Sequence, residues 1–306
     1  MRNFLTKWFQ IFKESIVRFF QDDPWKHSAA TAFFTIFSLP GIAIISITVA
    51  SYFYEDELVR EQLITQIRLL TGDASAQQVE ELMAQTYITN ASFIMKVVGI
   101  GTLAFSATTV FISLQDSLNH IWRIRPKPKK EVVKFILNRL LSLAMIVSLG
   151  FLILVSLFAD TMITILQEKV LNVFTEETLH IAQIINVLIS VGLVFLIFSV
   201  IYKVLPDAEI SWKDIWIGAI VTTVLFVAGK FGIGYYLGTS NLNDAYGAAG
   251  SLVLLLSWVY YSLMILLLGA EITYTHARYM NRTILPASNA VAIKVEEVER
   301  TLNALE

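Results

Sequence analysis

The stretch YGAAGSLVLLLSWVYYSLMILLLGAEITYTHARY (246–279) decides how the chain is read. From Ala248 to Ala270 it holds no Asp, Glu, Lys or Arg, and the apolar run stops at Glu271. A bilayer core of about 30 Å is crossed by roughly 20 apolar residues in helical form. The stretch therefore predicts a transmembrane helix with a carboxylate at one end. What that carboxylate does is the question the rest of the chain has to answer.

The composition agrees with this reading. Of 306 residues, 56% are hydrophobic and 16% charged, where a soluble domain carries about 25% charged residues. Mean hydropathy is +0.64. A formal net charge of −2 gives no basic signature for nucleic acid. The sequence has no cysteine, which excludes disulfides, zinc thiolates and Cys nucleophiles within it. The start, MRNFLTKWFQIFKESIVRFFQDDPWKH, is interrupted by Lys7, Lys13, Glu14 and Arg18. It lacks the continuous apolar core of a signal peptide and is expected to be retained.

Six segments are long and apolar enough to span a bilayer: 28–53, 92–120, 135–159, 181–204, 214–238 and 246–272. No stretch alternates like a strand, and backbone groups in lipid must be satisfied internally, so the expected class is all-α with six spans. Seventeen Lys and Arg flank one side: five in the N-terminal tail, six in 121–134, two in 203–213 and four after the last span. Only Arg60, Arg68 and Lys169 flank the other. The positive-inside rule then predicts both termini in the cytoplasm.

Three regions lie outside this bundle. Residues 1–27 read as a cytoplasmic amphipathic helix in the membrane interface, with Phe4, Trp8, Phe12, Ile16 and Phe19 broadly opposite the charges. Residues 55–90 read as an outer amphipathic helical hairpin: Leu63, Ile67 and Leu70 share one face, as do Val79, Leu82 and Met83. The hairpin caps the bundle or recruits a partner. Residues 273–306 read as a cytoplasmic tail, soluble and mobile from Pro286, with a short helix from Ala290.

Four motifs in this frame carry a resemblance: AATAFFTIFSLPG (29–41), LNHIWRIRPKP (118–128), YKVLPDAEISWKDIWIGA (202–219) and the opening stretch. Together the chain resembles the YihY/BrkB family of bacterial inner-membrane proteins over about residues 15–280. The resemblance implies a multi-pass protein of six helices in the bacterial cytoplasmic membrane. The family is sometimes described as transporters or virulence factors, and it also carried a ribonuclease label.

Ionisable residues inside a span are costly and usually face a cavity or each other. Asp116 and Asn119 fall near the cytoplasmic end of the second span, Arg139 about one turn into the third, and Glu271 at the end of the sixth. Asp116, Arg139 and Glu271 are thus expected in one layer, as a gate, an ion-coupled site or a salt-bridge network. Lys96, near the outer end of the second span, reads as a snorkelling side chain.

Lys230 lies deeper, about 12 Å along a helix from the outer end of the fifth span. It is surrounded by Gly229, Gly232, Gly234 and Gly238, with Asp160 and Asp244 as available partners. It reads either as a snorkelling side chain beside a packing seam or as a site for an anionic group such as a lipid phosphate. Pro40-Gly41 falls in mid-span and predicts a kink or break, a feature that can line transport sites. His27, His120 and His276 lie in separate segments without ligand spacing, so no metal is expected.

No phosphate-binding G-x-x-x-x-G-K-[ST] loop and no G-x-S-x-G elbow occurs. The basic RIRPKPKK fits the positive-inside rule and anionic headgroups better than RNA. The sequence thus points away from an enzyme, a cofactor or a nucleic-acid partner. It points towards a transporter or lipid translocator of an anionic or amphipathic substrate. The alternative is a non-transporting scaffold or envelope-assembly factor. Membrane lipids are the expected partners, and the glycine-rich fifth span would suit a homo-oligomer as well as packing within one chain.

Overall fold

The computed structural model describes residues 2–50, 56–71, parts of 76–83, 93–127, 132–148, 176–239 and 250–294. Helices dominate: α1 (Arg2–Gln21), α2 (Pro24–Ala50), α3 (Asp56–Thr71), α4 (Phe93–Ile121), α5 (132–148), α6 (Glu176–Val204), α7 (Trp212–Thr239) and α8 (Gly250–Tyr279). Trp212–Gly232 and Leu255–Tyr279 are long and apolar enough to cross a membrane, and α2 is a third if its two bent halves form one span. The segments 28–53, 92–120, 181–204, 214–238 and 246–272 each overlap one of these helices, whereas 135–159 is described only as far as residue 148.

Helix α8 is the centre of the packing, against α7, α2, α1 and α4. Small residues make its closest approach possible. A Cβ on Gly269 would strike the Thr222 and Tyr202 hydroxyls, and one on Gly218 would strike Thr273 and the Gly269 carbonyl. Farther along the seam, Gly229 lies under the Tyr261 ring. Helices in lipid gain little from apolar contact alone, so close backbone approach and interhelical hydrogen bonds hold them. Tyr202 supplies such bonds, donating to the Leu266 carbonyl at 2.7 Å and lying 2.7 Å from the Thr222 hydroxyl.

Helix α2 bends by 49° between Pro24–Leu39 and Gly41–Ile47. Proline lacks the amide proton that would bond the preceding turn. Ser106 of α4 meets the bend, its hydroxyl donating to the Phe37 carbonyl at 2.8 Å. At the far end, Val59 and Ile64 of α3 bury with Ala76, Val79 and Met83 of the second hairpin arm. They pack on Ala43 and Ile47 of α2 and Leu255 of α8, and Leu63 and Ile67 lie at the margin. The side chains of Leu70 and Leu82 are outside the described residues.

The other end departs from the expectation. Residues from Ala290 are not a helix: β4 (Ala290–Ala292) pairs with β1 (Ile124–Pro126), and β3 (Leu285–Pro286) pairs with β2 (Ala208–Glu209). The tail is fastened to two inter-helix loops. The Ala287 amide donates to the Asp207 carbonyl at 2.9 Å, and the Ile293 amide donates to the Arg123 carbonyl at 2.8 Å. Two- and three-residue strands are too short for periodicity to reveal. At Ala290–Ala292 the expected helix start gives way to pairing with the open backbone groups of β1. Asp23, Arg123 and Asn281 follow α1, α4 and α8 with φ of 49°, 58° and 54°. All three take the left-handed conformation that commonly ends a helix.

Candidate functional site

Among the described residues, many polar side chains of the strand-bearing end gather in three groups, the second and third adjoining through Glu14 and Arg18. In the first, Asp207 sits buried in the turn after α6. Its Oδ2 accepts from Lys134 at 2.8 Å and Asn119 at 3.0 Å, with Gln115 at 3.5 Å, while its amide donates to Asn119 Oδ1 at 2.9 Å. Asp116, exposed on α4, lies within electrostatic reach of Asp207 and Lys134. A buried pair this well bonded fastens the α6–α7 turn to α4 and α5.

In the second group, Asp214 of α7 is buried and accepts twice on Oδ1: from Arg282 at 3.1 Å and in a 2.8 Å bond with His276 Nδ1. Trp8 of α1 stacks on the His276 ring at 5.6 Å. One turn on, Glu14 Oε1 accepts from Arg18 at 3.0 Å and from Arg278 at 3.4 Å. Burial pushes the Glu14 carboxyl up, but hydrogen bonds from Arg18 and Tyr279 and the two cations outweigh it and hold it below the usual range. A depressed carboxyl stabilises the fold above its unfolded value, and the gain is lost as pH falls through the folded value. Acidification below the ordinary carboxylate range should therefore lower the thermal unfolding midpoint by an increment that Glu14→Gln has already lost. Unfolding scans of both proteins against pH check this.

The third group surrounds Glu271, which is 0% exposed. The Trp122 indole donates to the carbonyl of the preceding residue, Ala270, at 3.0 Å. Arg123 follows, and its left-handed backbone ends α4 while its guanidinium binds Asp22 at 2.6 Å. Asp22, Arg18, Arg123 and Glu14 are the charged groups near enough to act on Glu271. Among the described residues neither Glu271 oxygen has a hydrogen-bond partner, and neither does Asp22 Oδ2, although Asp22 is only 6% exposed. A buried polar group without a partner is uncommon and calls for an explanation.

The expected single layer of Asp116, Arg139 and Glu271 is not formed. Helix α5 begins by residue 132, so Arg139 lies about two turns in, not one. There its guanidinium bonds the Phe105 carbonyl at 2.8 Å and the Thr108 and Thr109 hydroxyls, and sits 4.1 Å from the Phe105 ring centre. Those residues precede Asp116 by roughly 10–16 Å along α4. Of the residues the sequence singled out, Asn119 joins Asp207, Asp116 lies beside that group, and Glu271 joins Asp22 and Arg123. Lys230 is exposed on α7 with no partner among the described residues, and Asp160 and Asp244 lie outside them. Gly232 beside it faces open space. Gly41 is buried at the α2 bend, and the surroundings of Pro40, Lys96, Gly234 and Gly238 are outside what the structure describes. His27 and His120 face each other, ring centres 4.7 Å apart, away from His276.

Sequence reasoning did not single out Lys134, Asp207, Asp214, Asp22 or Arg123; Lys134 and Arg123 entered only as flanking positive charges, and Asp214 only as the first residue of the fifth span. Both Asp207 and Asp214 stand in VLPDAEISWKD, a short link between two apolar helices with too little room to face water throughout. That was the available signal.

The profile of the family described as "Virulence factor BrkB" matches residues 15–293. Among curated proteins, the chain is similar to the "UPF0761 membrane protein YihY" of Salmonella typhimurium, 29% identical over 68% of this chain and 67% of that protein. It is also similar to a "UPF0761 membrane protein" of Pseudomonas aeruginosa, 28% identical over 88% of this chain and 64% of that protein. A further UPF0761 membrane protein, of Psychrobacter, is 26% identical over 91% of this chain and 50% of that protein. The chain thus spans about half to two thirds of the length of these relatives. No solved structure matches. A match over this much of the chain, on a helical fold with helices long and apolar enough to cross a membrane, makes the protein a member of the BrkB family of membrane proteins.

Proposed function

We propose that this protein is a transporter or lipid translocator of an anionic or amphipathic substrate, working without ATP hydrolysis and not as an enzyme. In this reading six helices cross the bacterial inner membrane, and α1 and the C-terminal strands lie on the cytoplasmic side. The charge asymmetry of the flanks supports that orientation. One observation carries the function: Glu271, fully buried in a helix long and apolar enough to cross a membrane, keeps both carboxylate oxygens without a partner among the described residues. An ionisable group at membrane depth costs about 2.5–3.5 kcal/mol on insertion scales. A purely structural protein would gain by pairing it or losing it. Exposed Lys230, on an otherwise apolar surface, supports an anionic substrate group.

The test is lipid and solute flux in proteoliposomes. Glu271→Gln and Lys230→Ala are each expected to lower flux at least tenfold while leaving monodisperse, helical protein. Flux unchanged in both variants would remove these residues from the mechanism.

A scaffold reading has its own observation. On the hairpin, a concavity of about 250 Å³ is lined by Glu57, Arg60, Glu61, Thr65, Arg68 and Glu80, charges able to seat a protein partner. Deleting part of 57–90 would then damage function more than changing Lys230.

A further inference from the structure

We propose that Glu271 and Asp22 together form a proton-binding site, and that this proton is the coupling ion for the transport proposed above. The inference rests on that transport reading and names its coupling ion. Charge balance is the first argument. Arg18 is matched by Glu14 at 3.0 Å and Arg123 by Asp22 at 2.6 Å. Each of these cations is thus bonded to another carboxylate, the other guanidinium on Glu14, that of Arg278, is half exposed, and no cation is bonded to Glu271 among the described residues. An unpaired charge with no access to water forfeits its solvation, and a bound proton removes that charge.

Geometry supplies the second argument. Neutral Glu271 has one hydroxyl to donate, and the nearby carboxylate of Asp22 has one buried oxygen, Oδ2, with nothing bonded to it. A shared proton satisfies both, directly or across one water. The charged groups near enough to act on Glu271 come from three elements: Arg18 and Glu14 from α1, Asp22 from the α1–α2 turn, and Arg123 from the end of α4. Two guanidiniums so close disfavour a metal ion, which also needs about six oxygen ligands. Among the described residues no three His, Cys, Asp or Glu gather to hold one.

The cycle balances with a single proton. Uptake adds one proton from water to the Glu271 carboxylate, and the neutral acid donates its hydrogen bond to Asp22. Release returns that proton to water and leaves a carboxylate, which competes with Asp22 for Arg123. That competition loosens the 2.6 Å pair tying the α1–α2 turn to α4. Nothing is oxidised or reduced. Proton occupancy is thereby linked to the packing of α1 and α2 on α8.

The experiment is infrared spectroscopy of the full chain in lipid bilayers across a pH series, with carbon-13 confined to glutamate. The expected result is a protonated glutamic acid carbonyl band at neutral pH. It is absent in Glu271→Gln and shifted in Asp22→Asn, where its acceptor has changed. No such band in the labelled wild type, or an undiminished band in Glu271→Gln, overturns the site. If Glu271→Gln does not fold, Asp22→Asn decides, and an unmoved band overturns Asp22 as the acceptor. Loss of the band on adding sodium at constant pH overturns the proton in favour of a metal cation. Flux in the same liposomes separates the two readings. Flux without the band sinks the proton site and leaves transport standing. The band without flux sinks transport, and coupling with it. Flux indifferent to an imposed pH gradient overturns the coupling alone.

Discussion

Gly269→Val is expected to abolish the folded bundle. Its Cβ would have to occupy the space of the Thr222 and Tyr202 hydroxyls, which belong to two other helices, with the Gly218 carbonyl behind them. Extra methylenes forced into a filled core cost about 1–3 kcal/mol when neighbours can shift. Here they cannot shift freely. Tyr202 is held by its bond to Leu266 O, and the Gly218 oxygen is backbone. The α7–α8 crossing must therefore open, removing those hydrogen bonds at the same time. Gly218→Val, which meets Thr273 and the Gly269 carbonyl, should behave alike. Gly192 makes the contrast, because a Cβ there meets nothing within 4 Å. Gly192→Ala should be neutral or stabilising by up to about 1 kcal/mol, since glycine is a poor helix former. Size-exclusion profiles after heating separate the outcomes: aggregation for the two valine variants, an unchanged peak for Gly192→Ala.

Asp207→Ala is expected to destabilise by about 3–5 kcal/mol, the effect of stranding one member of a buried ion pair. The Lys134 ammonium would remain at 9% side-chain exposure without its 2.8 Å carboxylate, and Asn119 would lose its 3.0 Å bond to that carboxylate, keeping only the bond from the backbone amide of residue 207. The partner variant Lys134→Met alone should be milder, because Asn119 still satisfies Asp207. The double variant should recover much of the loss, since removing both charges leaves none unpaired. A double-mutant cycle of unfolding midpoints measures the coupling. Additive effects would mean that Lys134 and Asp207 do not act as a pair.

How much of this could be read beforehand follows from the kind of interaction involved. Helix positions come from apolar length, a local property, and the helices overlap the segments taken from it. The Pro40 bend is local too. Neither the strand pairings nor the ion pairs that join different elements are local. Lys134 and Asp207 are 73 residues apart in sequence, and Arg123 and Asp22 are 101 apart. Nothing in either flank says which partner it will meet. Depth along a span was legible only to about one turn. Helix α8 runs on about two turns past Glu271, to Tyr279, and α5 begins by residue 132, ahead of the segment read as the third span. Glycine showed the same limit: the cluster around Lys230 drew attention, whereas the tightest crossing is at Gly218 and Gly269.

The central claim is that this family member moves an anionic amphiphile across the bilayer. It is tested most directly by reconstituting purified protein into liposomes with a fluorescent anionic phospholipid in both leaflets. Dithionite is then added outside, with and without an imposed proton gradient. The account expects quenching to pass the outer-leaflet half under at least one condition, and to stop there in Glu271→Gln and Lys230→Ala. Quenching by the wild type that halts at half under both conditions, as in protein-free liposomes, would contradict it.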